Sequence, residues 1–410
     1  MSNRGFLKAI GASGLTSILQ ILDRLVLNTI PVIYWGIEIG AVWIFLRSWG
    51  FVLLSLEGGV GGRISNSIAH LRRTNQNVDS VSYENAFFSQ LIWGGAVFFV
   101  NALVVSILLY FDSLFFFSIS EYLVVFILMG VYALLFFQTQ LVVYRLRGEG
   151  EIFKGQMIAN FAKAVEVIIF VIVPYIGLGM ITCILLLILV RFLLVVIMNE
   201  PILSQFRSVR FVWGGFDFIY FIYPVSSALL NFIPILVVSG LMGASAVLVF
   251  SISRLYGRLI TQVSQILSRV IWPELAGMAR NVVNDFLNKI LIKQLFVSMF
   301  LFFIGLFSAY LMDGNVFNGV EMEFNLIAVL LLGTLFVSFN DLAASILIAF
   351  EVHVSQVLFR LALYLILSVV MFFCVVKMSL LLVAYGILGV EIICFIYSMY
   401  RVFILVKVNG

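Results

Sequence analysis

Polar breaks interrupt this chain at short intervals, and between them lie apolar runs long enough to cross a bilayer. A helix needs about 20 residues to span the hydrocarbon core. Runs of that length fall near 10–32, 37–58, 86–111, 120–144, 152–176, 177–199, 216–239, 244–268, 290–312, 325–349, 355–376 and 380–405. Pro174, Gly177 and Gly179 divide the apolar stretch 152–199 into two spans. The first run follows Arg4 and Lys8 as a signal peptide would, but Asp23-Arg24 interrupts it and no convincing small-residue cleavage site follows. It is read as the first retained span.

Composition agrees with that pattern. Hydrophobic residues make up 63% of the 410 and charged residues 11%, against about 45–50% and about 25% in soluble domains. The expected fold is an all-α integral membrane protein of about twelve transmembrane helices. Cys183, Cys374 and Cys394 lie inside apolar runs and read as packing residues, while His70 and His353 fall in predicted loops without a metal-ligand companion. No Walker loop, GxSxG or HExxH motif occurs. An enzyme reading has no support, and neither a cofactor nor a nucleic-acid partner is expected.

Lys and Arg set the orientation. One set of loops, with the two ends of the chain, holds 17 of them, Arg360 included, and the opposite set holds only Lys377. Both termini are therefore expected in the cytoplasm. The longest external loop, from Asp313 to Phe324, carries Asp313, Glu321 and Glu323 and reads as a solvated loop.

The second half of the chain weakly repeats the first. Asn28-Thr29-Ile30-Pro31 is echoed by Asn231-Phe232-Ile233-Pro234. Gly36, Arg47, Trp49 and Gly50 are matched by Gly243, Arg254, Tyr256 and Gly257 at one offset of 207. Six spans return the chain to its starting side, so the halves would share one orientation. This predicts two six-helix bundles, 1–206 and 207–410, related by a pseudo-two-fold along the membrane normal, with a substrate path between them.

Charges inside spans are costly, about 2.5–3.5 kcal/mol each on insertion scales, and normally face a protein interior or an aqueous cavity. The cations here are Arg24, Arg47, Lys163, Arg191, Arg254 and Arg258; the anions are Asp23, Glu166, Asp341 and Glu391. Arg47 and Arg254 each sit about eleven residues into their spans, near the midplane at roughly 1.5 Å per residue. Arg254 and Arg258 share a helix face. Guanidinium forks suit phosphate oxygens, so Arg47, Arg254 and Arg258 are candidates for binding an anionic cargo, while Asp23 and Arg24 could each pair with another span. Trp49 is the candidate stacking surface for a sugar ring. Lys163 and Glu166 are expected to neutralise each other, and Arg191 to snorkel to the interface. Asp23, Asp341 and Glu391 either balance the arginines or carry a coupling proton; coupling to a proton or a sodium ion stays open.

The segment from Tyr34-Trp35-Gly36 to Leu56-Glu57-Gly58-Gly59-Val60-Gly61-Gly62-Arg63-Ile64 resembles the second span of Wzx-type O-antigen flippases, with their YG-type start and "LDLGLG"-like end. The segment from Val249-Phe250-Ser251-Ile252-Ser253-Arg254 to Ile271-Trp272-Pro273-Glu274-Leu275 resembles that family's eighth span and its "PxWPEL"-like exit. The usual acid has become Glu57 and shifted. The family belongs to a superfamily that includes MATE-type exporters and lipid II flippases. Resemblance implies a V-shaped pair of bundles with a cationic cavity in the bacterial inner membrane. The implied cargo is undecaprenyl-diphosphate carrying a short oligosaccharide, moved to the periplasmic leaflet by alternating access. Other polysaccharide-assembly membrane proteins are candidate partners. By position, Arg24, Arg47 and Arg254 match sites where such flippases commonly carry cations. Two rivals remain. A MATE-type cation-coupled exporter would favour an acid-lined cavity, which the arginine excess opposes; a polysaccharide polymerase would need a longer, charged external loop.

Overall fold

The computed structural model of the chain describes residues 15, 18, 19, 22, 23, 25–57, 68, 80–149, 151–203, 218–257, 260–262, 280–314, 316, 317, 320–349, 353–374 and 379–409. Within them the helices are α1 Leu25–Trp35, α2 Ile37–Ser55, α3 Ser80–Tyr110, α4 Leu123–Gly148, α5 Ile152–Tyr175, α6 Met180–Leu203, α7 Phe218–Leu241, α8 Ala244–Leu255, α9 Arg280–Met312, α10 Phe324–Ala349, α11 Val354–Cys374 and α12 Leu380–Asn409. Ten contain an apolar stretch long enough to cross a membrane; α1 and α8 are shorter apolar helices. This is an all-α multi-pass membrane fold, the helix being the form that satisfies most backbone polar groups within a span.

Several boundaries differ from the expected spans. The first helix runs past the expected end at 32 to Trp35, through Pro31. Proline has no N–H to give the carbonyl four residues back. That carbonyl, on Leu27, instead accepts Trp43 Nε1–H at 2.9 Å, so the helix continues without an orphaned acceptor. Helix α8 breaks at Tyr256–Gly257, inside the expected span; residues 260–262 are helical again, and the expected end at 268 lies outside the described residues. The acidic loop between α9 and α10 contains a small antiparallel ribbon, β1 Val316–Phe317 against β2 Val320–Glu321. Its Asp313 is a cap as well as a loop residue: Oδ1 accepts the Phe324 N–H at 2.9 Å, at the start of α10. Asp112 plays the same part after α3, accepting from the Ile119 N–H and from Ser118 Oγ at 3.0 Å.

The chain divides into two compact units, Met1–Ala228 and Leu229–Gly410. In the first, α4 is the central helix, packed on α2, α3, α5 and α6. In the second, α10 occupies the corresponding place and packs on α8, α9 and α12, while α11 packs on α12. The same short link opens the second helix of each unit. Gly36 and Gly243 both stand at φ 87°, with ψ of 173° and 179°. That conformation is essentially restricted to glycine, which explains why the 207-residue offset keeps glycine at both places. The stretch Ala41–Leu46 of α2 is at most 2% exposed, so this part of the helix is buried on every side. Phe296, Phe300, Phe303, Phe307 and Tyr310 on α9 are at least 60% exposed, the surface that hydrocarbon would cover.

Candidate functional site

The first unit encloses a cavity of about 280 Å³. Its walls come from α2, α4, α5 and α6, with Leu19, Asp23 and Leu27 from the chain at and before α1. Apolar side chains such as Trp43, Phe51, Met129 and Phe170 line most of it, and five charged residues converge there: Asp23, Arg47, Lys163, Glu166 and Arg191. Three cations thus meet two anions.

These five form a continuous relay of alternating sign. Arg47 donates from Nη1 to Asn28 Oδ1 at 2.8 Å and from Nη2 to Asp23 Oδ2 at 3.0 Å. Lys163 Nζ lies 3.0 Å from the other Asp23 oxygen and 3.2 Å from Glu166 Oε2. Glu166 is held further by Arg191, through Nε at 2.9 Å and through Nη2, and by Tyr132 Oη at 2.6 Å. Arg191 Nη1 reaches Thr139 Oγ1 at 3.0 Å, and its guanidinium lies 4.9 Å from the centre of the Phe136 ring. Buried charges persist only when paired and hydrogen-bonded, and here each has such partners.

Two sequence expectations change at this cavity. Arg191 does not snorkel to an interface: it is 3% exposed and faces inward from α6 onto Glu166 of α5. Lys163 and Glu166 do pair, but the pair is open at both ends, to Asp23 and to Arg191. Trp49, expected to stack on a sugar, is 5% exposed and does not line the cavity. It donates from Nε1 to Asn101 Oδ1 at 2.8 Å, and Asn101 donates on to the Phe126 carbonyl at 2.9 Å. The structure uses it to tie α2 to α3 and, through Asn101, to α4. Arg24 and Arg258 lie outside the described residues.

The second unit holds the counterpart of Arg47. Arg254, at the end of α8, donates from Nη2 to Asn231 Oδ1 at 2.9 Å and from Nη1 to the Asn231 carbonyl at 3.2 Å. Each matched arginine therefore binds the asparagine three residues before a proline of the preceding helix. Among the described residues no carboxylate pairs with Arg254 within 4.0 Å, whereas Arg47 has Asp23.

Asp341 and Glu391 both turn to one cation that was expected in a loop. Arg360 lies within α11 with its side chain 11% exposed. Nη1 is 3.2 Å from Asp341 Oδ1; Nη2 and Nε are 2.8 and 3.2 Å from Glu391 Oε1. Tyr364 Oη, at 2.6 Å, and Asn340 Nδ2, at 2.7 Å, complete the shell around Glu391. Sequence reasoning missed Arg360 because it stands near a span end, where a lysine or arginine ordinarily reads as a loop charge.

No known family profile matches the chain, and no curated protein matches it by sequence. Solved structures do. A MATE transporter in the straight conformation aligns with a TM-score of 0.65 at 15% identity, covering 98% of this chain and 96% of that one. An inward-facing multidrug resistance MATE family transporter of the MOP superfamily aligns with a TM-score of 0.64 at 14% identity, covering 95% and 96%. A MOP superfamily transporter from Pyrococcus furiosus, described as having a binding pocket of reverse polarity, aligns with a TM-score of 0.60 at 13% identity, covering 98% and 94%. At these identities the likeness is one of fold: the chain is folded as MATE-type transporters of the MOP superfamily are.

Proposed function

We propose that this protein is a flippase that moves an undecaprenyl-diphosphate-linked oligosaccharide from the cytoplasmic to the periplasmic leaflet of a bacterial inner membrane by alternating access, with both termini in the cytoplasm. The observation that carries this reading is the cavity among the apolar helices of the first unit, in which three cations meet two anions. Such a cavity has residual positive charge to offer, and an anionic group is the cargo that complements it. Arg254 adds a half-buried guanidinium at the repeat-related place in the other unit, without a carboxylate of its own among the described residues. Guanidinium groups bind phosphoryl oxygens bidentately. The long apolar walls around these few charges suit a lipid-borne cargo. The fold supports a transporter, and the sign of the cavity disfavours a cationic drug as its main substrate.

In cells that depend on this protein, its loss should leave the lipid-linked intermediate in the cytoplasmic leaflet. Arg47→Ala and Arg254→Ala should each abolish export of the surface polysaccharide at normal protein levels. Arg→Lys at either place should restore less than full export, since lysine offers a point charge where the fork offered two parallel donors. Normal export by both alanine variants would overturn the reading.

A further inference from the structure

The two acids of the cavity are held very differently. Glu166 is clamped by Arg191, Tyr132 and Lys163. Asp23, among the described residues, is held only by Arg47 and Lys163, one on each oxygen, both at 3.0 Å. The contact of Oδ1 with Lys163 is ionic and lacks the direction of a hydrogen bond.

Arg47 is left incompletely used. Nη1 goes to Asn28 and Nη2 to Asp23, while Nε–H is buried without an acceptor. The Arg47 side chain is only 10% exposed. A buried donor without a partner is uncommon and costly in a folded protein. Nε and Nη2 form the side of the guanidinium that receives an oxyanion through two parallel hydrogen bonds. Asp23 gives one oxygen to that side and turns the other to Lys163, so two oxygens serve three donors. A tetrahedral phosphoryl group, with a further oxygen, satisfies all three: two oxygens on the Arg47 fork and one on Lys163.

From this geometry we infer that Arg47 and Lys163 form a phosphoryl cradle, that Asp23 occupies it as a tethered counter-anion, and that the cargo's phosphoryl group displaces Asp23. The inference rests on the anionic-cargo reading above and adds Lys163 to the binding residues. Lys163 is the most exposed of the charged groups in this relay, with its side chain 30% exposed, and has a flexible stem; it makes the first contact. Asp23 competes with the cargo for the same cations. Such competition holds affinity down, which a carrier needs in order to release what it has moved.

The test uses the full-length protein in lipid nanodiscs, titrated with inorganic pyrophosphate. Asp23→Asn, which removes the competitor, should tighten binding. Lys163→Gln should weaken it by about tenfold or more, the loss expected for a hydrogen bond to a charged group, and Lys163→Arg should retain most of it. If Asp23→Asn weakens binding as Lys163→Gln does, Asp23 merely orients the cations and the cradle is wrong. Should Asp23→Asn alone fail to fold, the same change in the Lys163→Gln background decides: tighter binding than Lys163→Gln alone supports the cradle, and weaker binding refutes it. Failure of the cradle and failure of the functional reading remain distinct. A wild-type protein that flips the lipid-linked sugar, with pyrophosphate binding indifferent to all these changes, sinks the cradle alone. The predicted order of binding without any flipping sinks the functional reading alone.

Discussion

Replacing Arg360 by leucine removes the one cation that Asp341 and Glu391 share. The ion pairs lost are those at 3.2 Å to Asp341 and 2.8 Å to Glu391, and the Glu391 side chain is 0% exposed. Removing one partner of a buried pair costs about 3–5 kcal/mol, because the other charge stays behind uncompensated. Against a total stability of about 5–15 kcal/mol for a typical domain, that is a large fraction. Most of the loss is the penalty of leaving the Glu391 carboxylate buried without its cation, and little is the worth of the pair. The triple variant R360L/D341N/E391Q should therefore recover part of the stability, since it leaves no uncompensated charge of this group buried. The assay is the fraction of detergent-solubilised protein that stays monodisperse after a graded heat step. Arg360→Leu should lose that fraction at a clearly lower temperature than the wild type, and the triple variant should recover part of the difference. An Arg360→Leu protein as heat-resistant as the wild type, or a triple variant no better than the single, would refute the reasoning.

Three more outcomes follow from the same structure. Reporter fusions at Asn77, Glu149, Asn281 and Asn409 should report cytoplasm and those at Asp112 and Asn318 the outside, because the loop-charge bias survives the transfer of Arg360 into α11; a cytoplasmic signal at Asn318 would undo the twelve-span topology. Gly257→Ala should lower thermal stability by about 1–3 kcal/mol as an overpacked contact does, since the new Cβ would lie 2.4–2.7 Å from Thr334 atoms of α10, and Thr334→Ala in the same chain should restore part of it; an unchanged Gly257→Ala protein would contradict the close approach. Asp341→Asn and Glu391→Gln should lower folded yield while any response of transport to an imposed pH gradient persists, because Arg360 already occupies these acids; loss of the pH response at full yield would make them coupling groups instead.

The spans were legible because bilayer thickness imposes a length that hydropathy reveals directly. The repeat was legible at Gly36 and Gly243 because a backbone conformation that tolerates only glycine preserves that residue. The matched capping aspartates, Asp112 and Asp313, went unseen, since a cap depends on where the next helix begins and that boundary shifts by a few residues. The charge networks were half legible. The span charges other than Arg360 were visible, but partners lie on neighbouring helices, and spacing along one helix finds only pairs three or four residues apart. A different measure reaches them: Glu166 and Arg191 stand about equally far from the turn at Gly177, as Asp23 and Arg47 do from Gly36. Antiparallel neighbours bring such residues to the same depth. The packing of Trp49 was not legible, because the residue it binds, Asn101, is in a different hairpin.

The central claim is that the cargo is an anionic lipid-linked sugar, and the direct measurement is transbilayer movement in proteoliposomes. The purified protein is reconstituted with an undecaprenyl-diphosphate oligosaccharide labelled on its sugar, and the labelled sugar accessible to an impermeant reagent is followed over time. The wild type should make sugars from both leaflets accessible, Arg47→Ala should leave the inner-leaflet pool protected, and a cationic dye should not be moved in the same vesicles. A protein that transports the dye and leaves the lipid-linked sugar in its original leaflet would contradict the account.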